Sequence, residues 1–275
     1  MQQEIEIAEL RKLTELIKDK YDYDFKNYAM SSFKRRIKRI VELYKFKTID
    51  SLIDKLESTP SFFEEFVSEI TVNVTEMFRD PSFWSVLKEQ IIPNILLNHN
   101  KLNVWHAGCS SGEEVLSMTI LLEEMGVLDR SNIIATDIDT AIIDRAKKGT
   151  VSLKNMELNS SNYERFEGKY TIDKYFQEQN GKAVFDPNLM RQVSFRKHDL
   201  VKGVVFSKFD LILCRNVMIY FNQTLQNDVL YKLHESLFRY GYLAIGSKES
   251  LIWCDIANKF IVVNNEEKIY KKIKD

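Results

Sequence analysis

The chain has 275 residues, enough for one or two domains and for a core that needs no metal or disulfide staple. Its 39 Lys and Arg residues balance 40 Asp and Glu, which argues against a nucleic-acid binder because phosphate neutralisation needs excess basic charge. Apolar residues at 44% and charged residues at 29% exclude low-complexity disorder.

The N-terminus, MQQEIEIAEL, is acidic and lacks the apolar run of a signal peptide. No uninterrupted apolar stretch approaches the roughly 20 residues that span a bilayer, so no membrane insertion is expected. Cys109, Cys214 and Cys254 are widely spaced and odd in number, which suits a reducing cytoplasm. No histidine has a zinc-type companion, so no metal is expected.

From residue 5 to about Ile70 the pattern is helical. Ile5, Leu10, Leu13, Leu16 and Ile17 recur at helical intervals. Phe33, Ile37, Ile40, Val41 and Tyr44 form one apolar stripe, and Arg35, Lys38 and Arg39 face away from it. Seven basic residues and one acidic residue lie between Ser31 and Lys47. Ile49, Leu52, Ile53 and Leu56 begin another helix, which Ser58-Thr59-Pro60 punctuates.

After about Asn100 short β-rich runs alternate with helical ones. Strands are expected at Leu102–Ala107, Asn132–Thr136, Phe209–Cys214 and Tyr242–Ile245, and helices over Glu113–Met125, Thr140–Lys147 and Gln223–Phe238. That alternation implies a parallel sheet covered on both faces. Val151–Val193 is polar with scattered aromatics and an Asn180-Gly181 turn signal, and reads as an inserted subdomain. Lys259–Val263 and Lys268–Ile273 flank Asn264-Asn265 as an antiparallel hairpin at the sheet edge.

The segment VWHAGCSSGEE runs from the first strand into a helix. Gly108 and Gly112 permit conformations and close approaches that a Cβ would block, and ligands of such sheets collect at this end of the strands. No Gly-Lys-Ser/Thr follows and the GxGxxG spacing is incomplete, so it is not a phosphate loop. Glu113-Glu114 would repel pyrophosphate; a neutral or cationic adenosine ligand fits better. Asp137, just past the second strand, can accept hydrogen bonds from both ribose hydroxyls, while Asp139 reads as the cap of the next helix. The alternative for the glycines is a plain tight turn.

TVNVTEMFRDPSFW, VWHAGCSSGEE, ATDID, FDLILCRNVMIYF and YGYLAIGSKESL follow one another in this order. The series resembles the CheR-type methyltransferases that esterify chemoreceptor glutamates, over nearly the whole chain including the basic RRIKR stretch. The resemblance implies an α/β fold: a Rossmann-like class I methyltransferase domain over 73–275 with a small inserted β-subdomain at 151–193, preceded by an all-helical N-terminal domain over 1–72. It implies S-adenosylmethionine as cofactor and a methyl-accepting chemoreceptor, or related signalling protein, as partner.

Carried over by motif, Asn73, Thr75 and Arg79 line the cofactor and methyl-transfer region. Gly108 and Glu114 belong to the loop, Asp137 is the ribose ligand, and Asp199 and Leu200 flank the adenine. Cys214 and Arg215 end the FDLILCRN strand beside the cofactor, and Tyr220 is the active-site tyrosine. Arg35, Arg36, Lys38 and Arg39 would dock acidic receptor helices by charge complementarity; the alternative is a solvated face. Arg79 would orient the substrate carboxylate with its guanidinium fork, or else pair with Glu76 or Asp80. Tyr220 would fix geometry beside the methyl group, or else be core.

The sequence departs from the family pattern at Ser111, Val115, Asp199, Arg239-Tyr240-Gly241 and Gly246-Ser247-Lys248-Glu249. A cofactor-binding regulatory module and a small-molecule methyltransferase are the competing readings.

Overall fold

The computed structural model describes residues 5–71 and 75–274. Four helices come first: α1 (Ile7–Tyr21), α2 (Met30–Leu43), α3 (Ile49–Ser58) and α4 (Phe62–Ile70). Glu9 reaches back to the Glu6 N–H at 2.8 Å to start α1, and Asp22 ends it at φ 59°. Thr48 caps α3 by accepting from Ser51 N at 3.2 Å. Each helix turns its apolar stripe inward: Leu10, Leu13 and Ile17 of α1 meet Phe33, Ile37 and Ile40 of α2 and Phe66 of α4 in one core. Such burial is worth about 1.5–3 kcal/mol per large side chain, and it outweighs the like charges crowding the outer face of α2.

A helix that the sequence pattern did not announce follows: α5 (Pro81–Val86), a π-helical stretch (Leu87–Ile91) and α6 (Ile92–Asn98). Pro93 has no N–H for the Glu89 carbonyl, and the wide turn falls on the residues before it.

The remaining elements are β1 (Leu102–Ala107), α7 (Glu113–Glu124), β2 (Ser131–Asp137), α8 (Thr140–Ala146), β3 (Thr150–Ser152), α9 (Met156–Arg165), β4 (Phe176–Gln179), β5 (Lys182–Phe185), β6 (Val193–Lys197), β7 (Phe209–Cys214), α10 (Gln223–Glu235), β8 (Leu237–Ile245), β9 (Phe260–Asn264) and β10 (Ile269–Lys272). The main sheet has the order β6-β2-β1-β7-β8-β10-β9. β6, β2, β1, β7 and β8 are parallel, and β10 and β9 close the edge as the expected antiparallel hairpin.

The central strands are buried on both faces. Val104, Leu211 and Leu213 face α5, α6 and α7, whereas Trp105, Ile212 and Cys214 face α10. This is the α/β, Rossmann-like fold that the resemblance implied, with the parallel sheet expected from the strand–helix alternation. Among the described residues no helix is long and apolar enough to cross a membrane.

Three expectations change. The helix over Gln223–Phe238 stops at Glu235, because Leu237 and Phe238 already belong to β8, with Leu237 opposite Phe209. The strand expected at Tyr242–Ile245 therefore begins five residues earlier, at Leu237. Val193, at the end of the expected insertion, pairs with Ile133 as part of β6, an edge strand whose charged, half-exposed residues hid it from a hydrophobic pattern. The insertion itself folds as a three-stranded antiparallel sheet, β3-β5-β4, with α9 beside it. Asn180 and Gly181 supply the two positive φ angles, 50° and 72°, that a two-residue hairpin turn needs.

Candidate active site

An open cleft of about 1150 Å³ lies at the carboxyl ends of β1, β2, β6 and β7, where strand order reverses about β1. Residues of the helical domain, including Tyr28, Arg36 and Thr71, form its opposite wall.

The loop after β1 is stitched to β2 by Gly108 N and Cys109 N, which both donate to the Thr136 carbonyl at 2.8 Å. Gly108 has φ 82°, and a Cβ there would sit 2.6 Å from Val217 Cγ2. Only glycine keeps this floor open. Ser110 N then donates to Asp137 Oδ2 at 2.8 Å, and Asp139 N donates to Asp137 Oδ1 at 3.1 Å. A carboxylate oxygen can accept more than one hydrogen bond, and Asp137 lines the cleft. Burial raises the Asp137 carboxyl above its usual range even though backbone amides favour its ionised form. Asp139 caps α8 by accepting from Ala141 N and Ile142 N, which separates the two acids as the sequence suggested.

Glu114 lines the cleft but its carboxylate is engaged. Oε1 meets His106 Nδ1 at 2.8 Å and Oε2 accepts from Arg215 Nη1 at 3.3 Å. Burial would raise its pKa, but the hydrogen bond and charge of His106 and the charge of Arg215 outweigh it and hold the carboxyl low. Arg215 also donates to Asp80 Oδ2 at 2.6 Å and lies 4.0 Å over the Phe83 ring. Glu113 does not reach the cleft; it accepts from Ser111 Oγ at 2.6 Å beneath it.

Arg79 donates from Nε to Glu76 at 3.0 Å and from Nη1 to Asn216 Oδ1 at 3.3 Å, with its side chain only a quarter exposed. Asp80 is spent on Arg215, so of the two ion-pair partners weighed for Arg79 the structure contains Glu76. Tyr220 ends a short 3-10 turn, Met218–Tyr220, and also lines the cleft. Burial raises its phenol pKa in spite of Arg36 and Arg79, so the hydroxyl keeps its proton at neutral pH.

Of the other predicted residues, Thr75, Asp199 and Leu200 line the cleft. Asp199 Oδ1 accepts from Val201 N at 2.7 Å and shapes the loop after β6. Cys214 is fully buried in the apolar layer under α10 and forms no part of the cleft wall. Asn73 lies outside the described residues. Arg35, Lys38 and Arg39 are exposed on α2, with Arg39 3.9 Å from Glu69. Arg36 separates from them: it is half-buried, donates to the Ile70 carbonyl at 2.6 Å, and faces the cleft.

Sequence reasoning passed over Asn216 and His198. Asn216 stands in the CRNV motif at φ 60°, and an Asn two residues past a buried strand was the available signal. His198 is buried enough that its pKa is lowered and it is neutral at pH 7. Nothing in RKHDL distinguished it.

Residues 8–71 match the CheR methyltransferase all-alpha domain, and residues 73–269 match the CheR methyltransferase SAM binding domain. The chain belongs to the CheR methyltransferase family.

This CheR methyltransferase is 39% identical over 264 residues to the protein named Cher3 in Pseudomonas putida, with 96% of each chain covered. It is 34% identical over 240 residues to the chemotaxis protein methyltransferase of Listeria innocua, covering 87% of this chain and 88% of the relative. It is 29% identical over 237 residues to chemotaxis protein methyltransferase 1 of Pseudomonas aeruginosa, covering 82% and 83%.

S-adenosylmethionine is therefore the cofactor, and the cleft fits it. The floor is open only because Gly108 lacks a Cβ, and Ser110 Oγ and His198 Nδ1 are buried on the cleft with no hydrogen-bond partner among the described residues. Those are the unmatched polar atoms that a nucleoside would complete.

Proposed function

We propose that this CheR methyltransferase esterifies glutamate side chains of a chemoreceptor, with Arg79 and Tyr220 as the residues that touch the reacting groups. The bound cofactor supplies an electrophilic methyl group on a sulfonium. Asp137 would hold the ribose, Ser110 and Gly108 the loop side, and Asp199, Leu200 and His198 the adenine side.

A glutamate carboxylate is ionised at neutral pH, so no general base is needed. What this chain must supply is alignment and exclusion of water, which can account for much of the barrier reduction. Arg79, held at the cleft by Glu76 and Asn216, places a guanidinium cation where it can donate to a substrate carboxylate. Tyr220, kept protonated by burial, can donate a hydrogen bond without adding negative charge beside the nucleophile. The observation that carries the reading is that Arg79, Tyr220 and Asp137 line one cleft.

Arg35, Lys38 and Arg39 offer a basic face on the same domain that supplies Arg36 to the cleft. An acidic receptor helix suits that face. The three cysteines are free and buried, in keeping with the cytoplasm where such a receptor segment would be met. Methylation of a receptor fragment with release of methanol by base tests the assignment, because esters are base-labile and methylated amines are not.

A further inference from the structure

Glu249 stands behind the cleft wall. It is 7% exposed and follows β8 in the turn Gly246-Ser247-Lys248-Glu249. Its Oε2 accepts from Gly246 N at 2.5 Å and from Asn216 N at 3.1 Å, and its Oε1 accepts from Ile219 N at 3.1 Å. One carboxylate thus ties the turn after β8 to the segment after β7. Among the described residues no ion pair neutralises it; backbone dipoles hold the charge. Burial raises its pKa against the pull of these amides.

The far end of the segment it holds is also tied by Ala29 N, which donates to the Tyr220 carbonyl at 2.8 Å, and by Gln226 Nε2, which donates to the Met218 carbonyl at 3.1 Å. Its start rests on Glu249. Asn216 sits at φ 60°, and only a single 3-10 turn, Met218–Tyr220, follows. Yet Asn216 Oδ1 braces Arg79, and Ile219 directly precedes Tyr220. Gly246 leaves the space for this arrangement, since a Cβ there would lie 2.8 Å from Asn216 N and 2.9 Å from Glu249 Oε2.

We propose that Glu249 is a positioning residue for methyl transfer: its carboxylate fixes the Asn216–Tyr220 segment, and through it sets Arg79 and Tyr220 at the cleft. The inference rests on the roles proposed above for those two residues. Three N–H donors converge on two oxygens, so the acceptor must be the carboxylate itself. An amide of the same size would turn one NH₂ toward a backbone N–H, leaving donor against donor.

The test is Glu249→Gln, assayed with a chemoreceptor cytoplasmic fragment encoded by the same genome. The expected result is a kcat lowered about 30-fold, which is about 2 kcal/mol at about 1.36 kcal/mol per decade. KM for the fragment and calorimetric affinity for S-adenosylhomocysteine should stay within about threefold of wild type, because neither partner touches Glu249. A merely structural glutamate would lower the folded fraction and leave kcat per folded molecule unchanged. In the Tyr220→Phe background, adding Glu249→Gln should cost at least about threefold less than it does alone, since coupled residues are not additive. If Glu249→Gln fails to fold, Gly246→Ala displaces the same carboxylate and should show the same kcat loss. Wild-type kcat in a folded variant, or a full multiplicative loss in the double mutant, would overturn the proposal. Absence of ester formation by the wild-type enzyme in the same assay contradicts the proposed function instead.

Discussion

The Arg36 guanidinium lies 4.6 Å over the centre of the Tyr220 ring and donates to the Ile70 carbonyl. A residue of the helical domain thereby touches the tyrosine proposed to act in the other domain. A cation over an aromatic face is worth about 0.5–2 kcal/mol. Arg36→Ala should accordingly lower kcat by about 2- to 30-fold through the loss of that contact. Steady-state kinetics will check this, and an effect confined to KM would return Arg36 to the docking face.

The neighbouring cations should behave differently. Arg35, Lys38 and Arg39 are exposed, so reversing all three to Glu should raise KM for the receptor fragment and leave kcat and cofactor affinity unchanged. The wild-type rate at subsaturating receptor should fall as salt rises, because exposed charges are screened beyond about 10 Å at 0.1 M. A salt-independent rate with an unaffected triple mutant would leave these residues as a solvated face.

Asp137 connects cofactor affinity to pH. Burial raises its carboxyl above the ordinary value of 3.8, and in the proposed role ribose hydroxyls would donate to the ionised form. Binding then lowers that pKa, so affinity is complete above the free-state value and falls as pH drops through it. Calorimetry on lowering the pH from neutrality through the raised Asp137 pKa should show S-adenosylhomocysteine affinity weakening toward acid in the wild type and a flat profile for Asp137→Asn. Asp137→Ala should lose on the order of 1.5–3 kcal/mol, roughly 10- to 150-fold in Kd.

Two buried amides link the approach to the cleft with the insertion. Asn159 Oδ1 accepts from Met77 N at 3.0 Å, and Asn162 donates back to the Met77 carbonyl at 3.0 Å. Asn159 is fully buried, so Asn159→Ala strands the Met77 N–H without water. The expected loss is about 1–3 kcal/mol, read as a lower denaturation midpoint with the slope unchanged.

How far the sequence carried this picture depended on what each residue had to do. β1 and β7 were legible to the residue because strands covered on both faces read as mostly apolar runs, here interrupted only by Asn103 and His106 in β1 and Asp210 in β7. β6 was not, since an edge strand carrying Arg196 and Lys197 shows no apolar run. Asp139 was legible as a helix cap because a cap occupies a fixed offset before the first helical residue. Arg36 was grouped with its basic neighbours because helical periodicity gives an angle about α2 but not the presence of a second domain on one side. Glu249 was visible only as the last residue of a segment that departs from the family pattern before it; that its carboxylate collects amides from two loops is a tertiary fact.

In the proposed reaction Arg79 and Tyr220 direct methyl transfer to a carboxylate. The most direct measurement is base-released tritiated methanol from a same-genome receptor fragment incubated with labelled S-adenosylmethionine, comparing wild type, Arg79→Ala and Tyr220→Phe at matched cofactor occupancy. The account predicts base-labile label on glutamate with wild type, and kcat lowered by about 10²-fold or more in Arg79→Ala, as expected when a group holding the reacting oxygens is removed. Tyr220→Phe should also lose rate while keeping its fold and its cofactor. Wild-type rates in both variants, or a wild-type enzyme that binds the cofactor and leaves every receptor carboxylate unmethylated, would contradict it, the latter in favour of a cofactor-binding regulatory module.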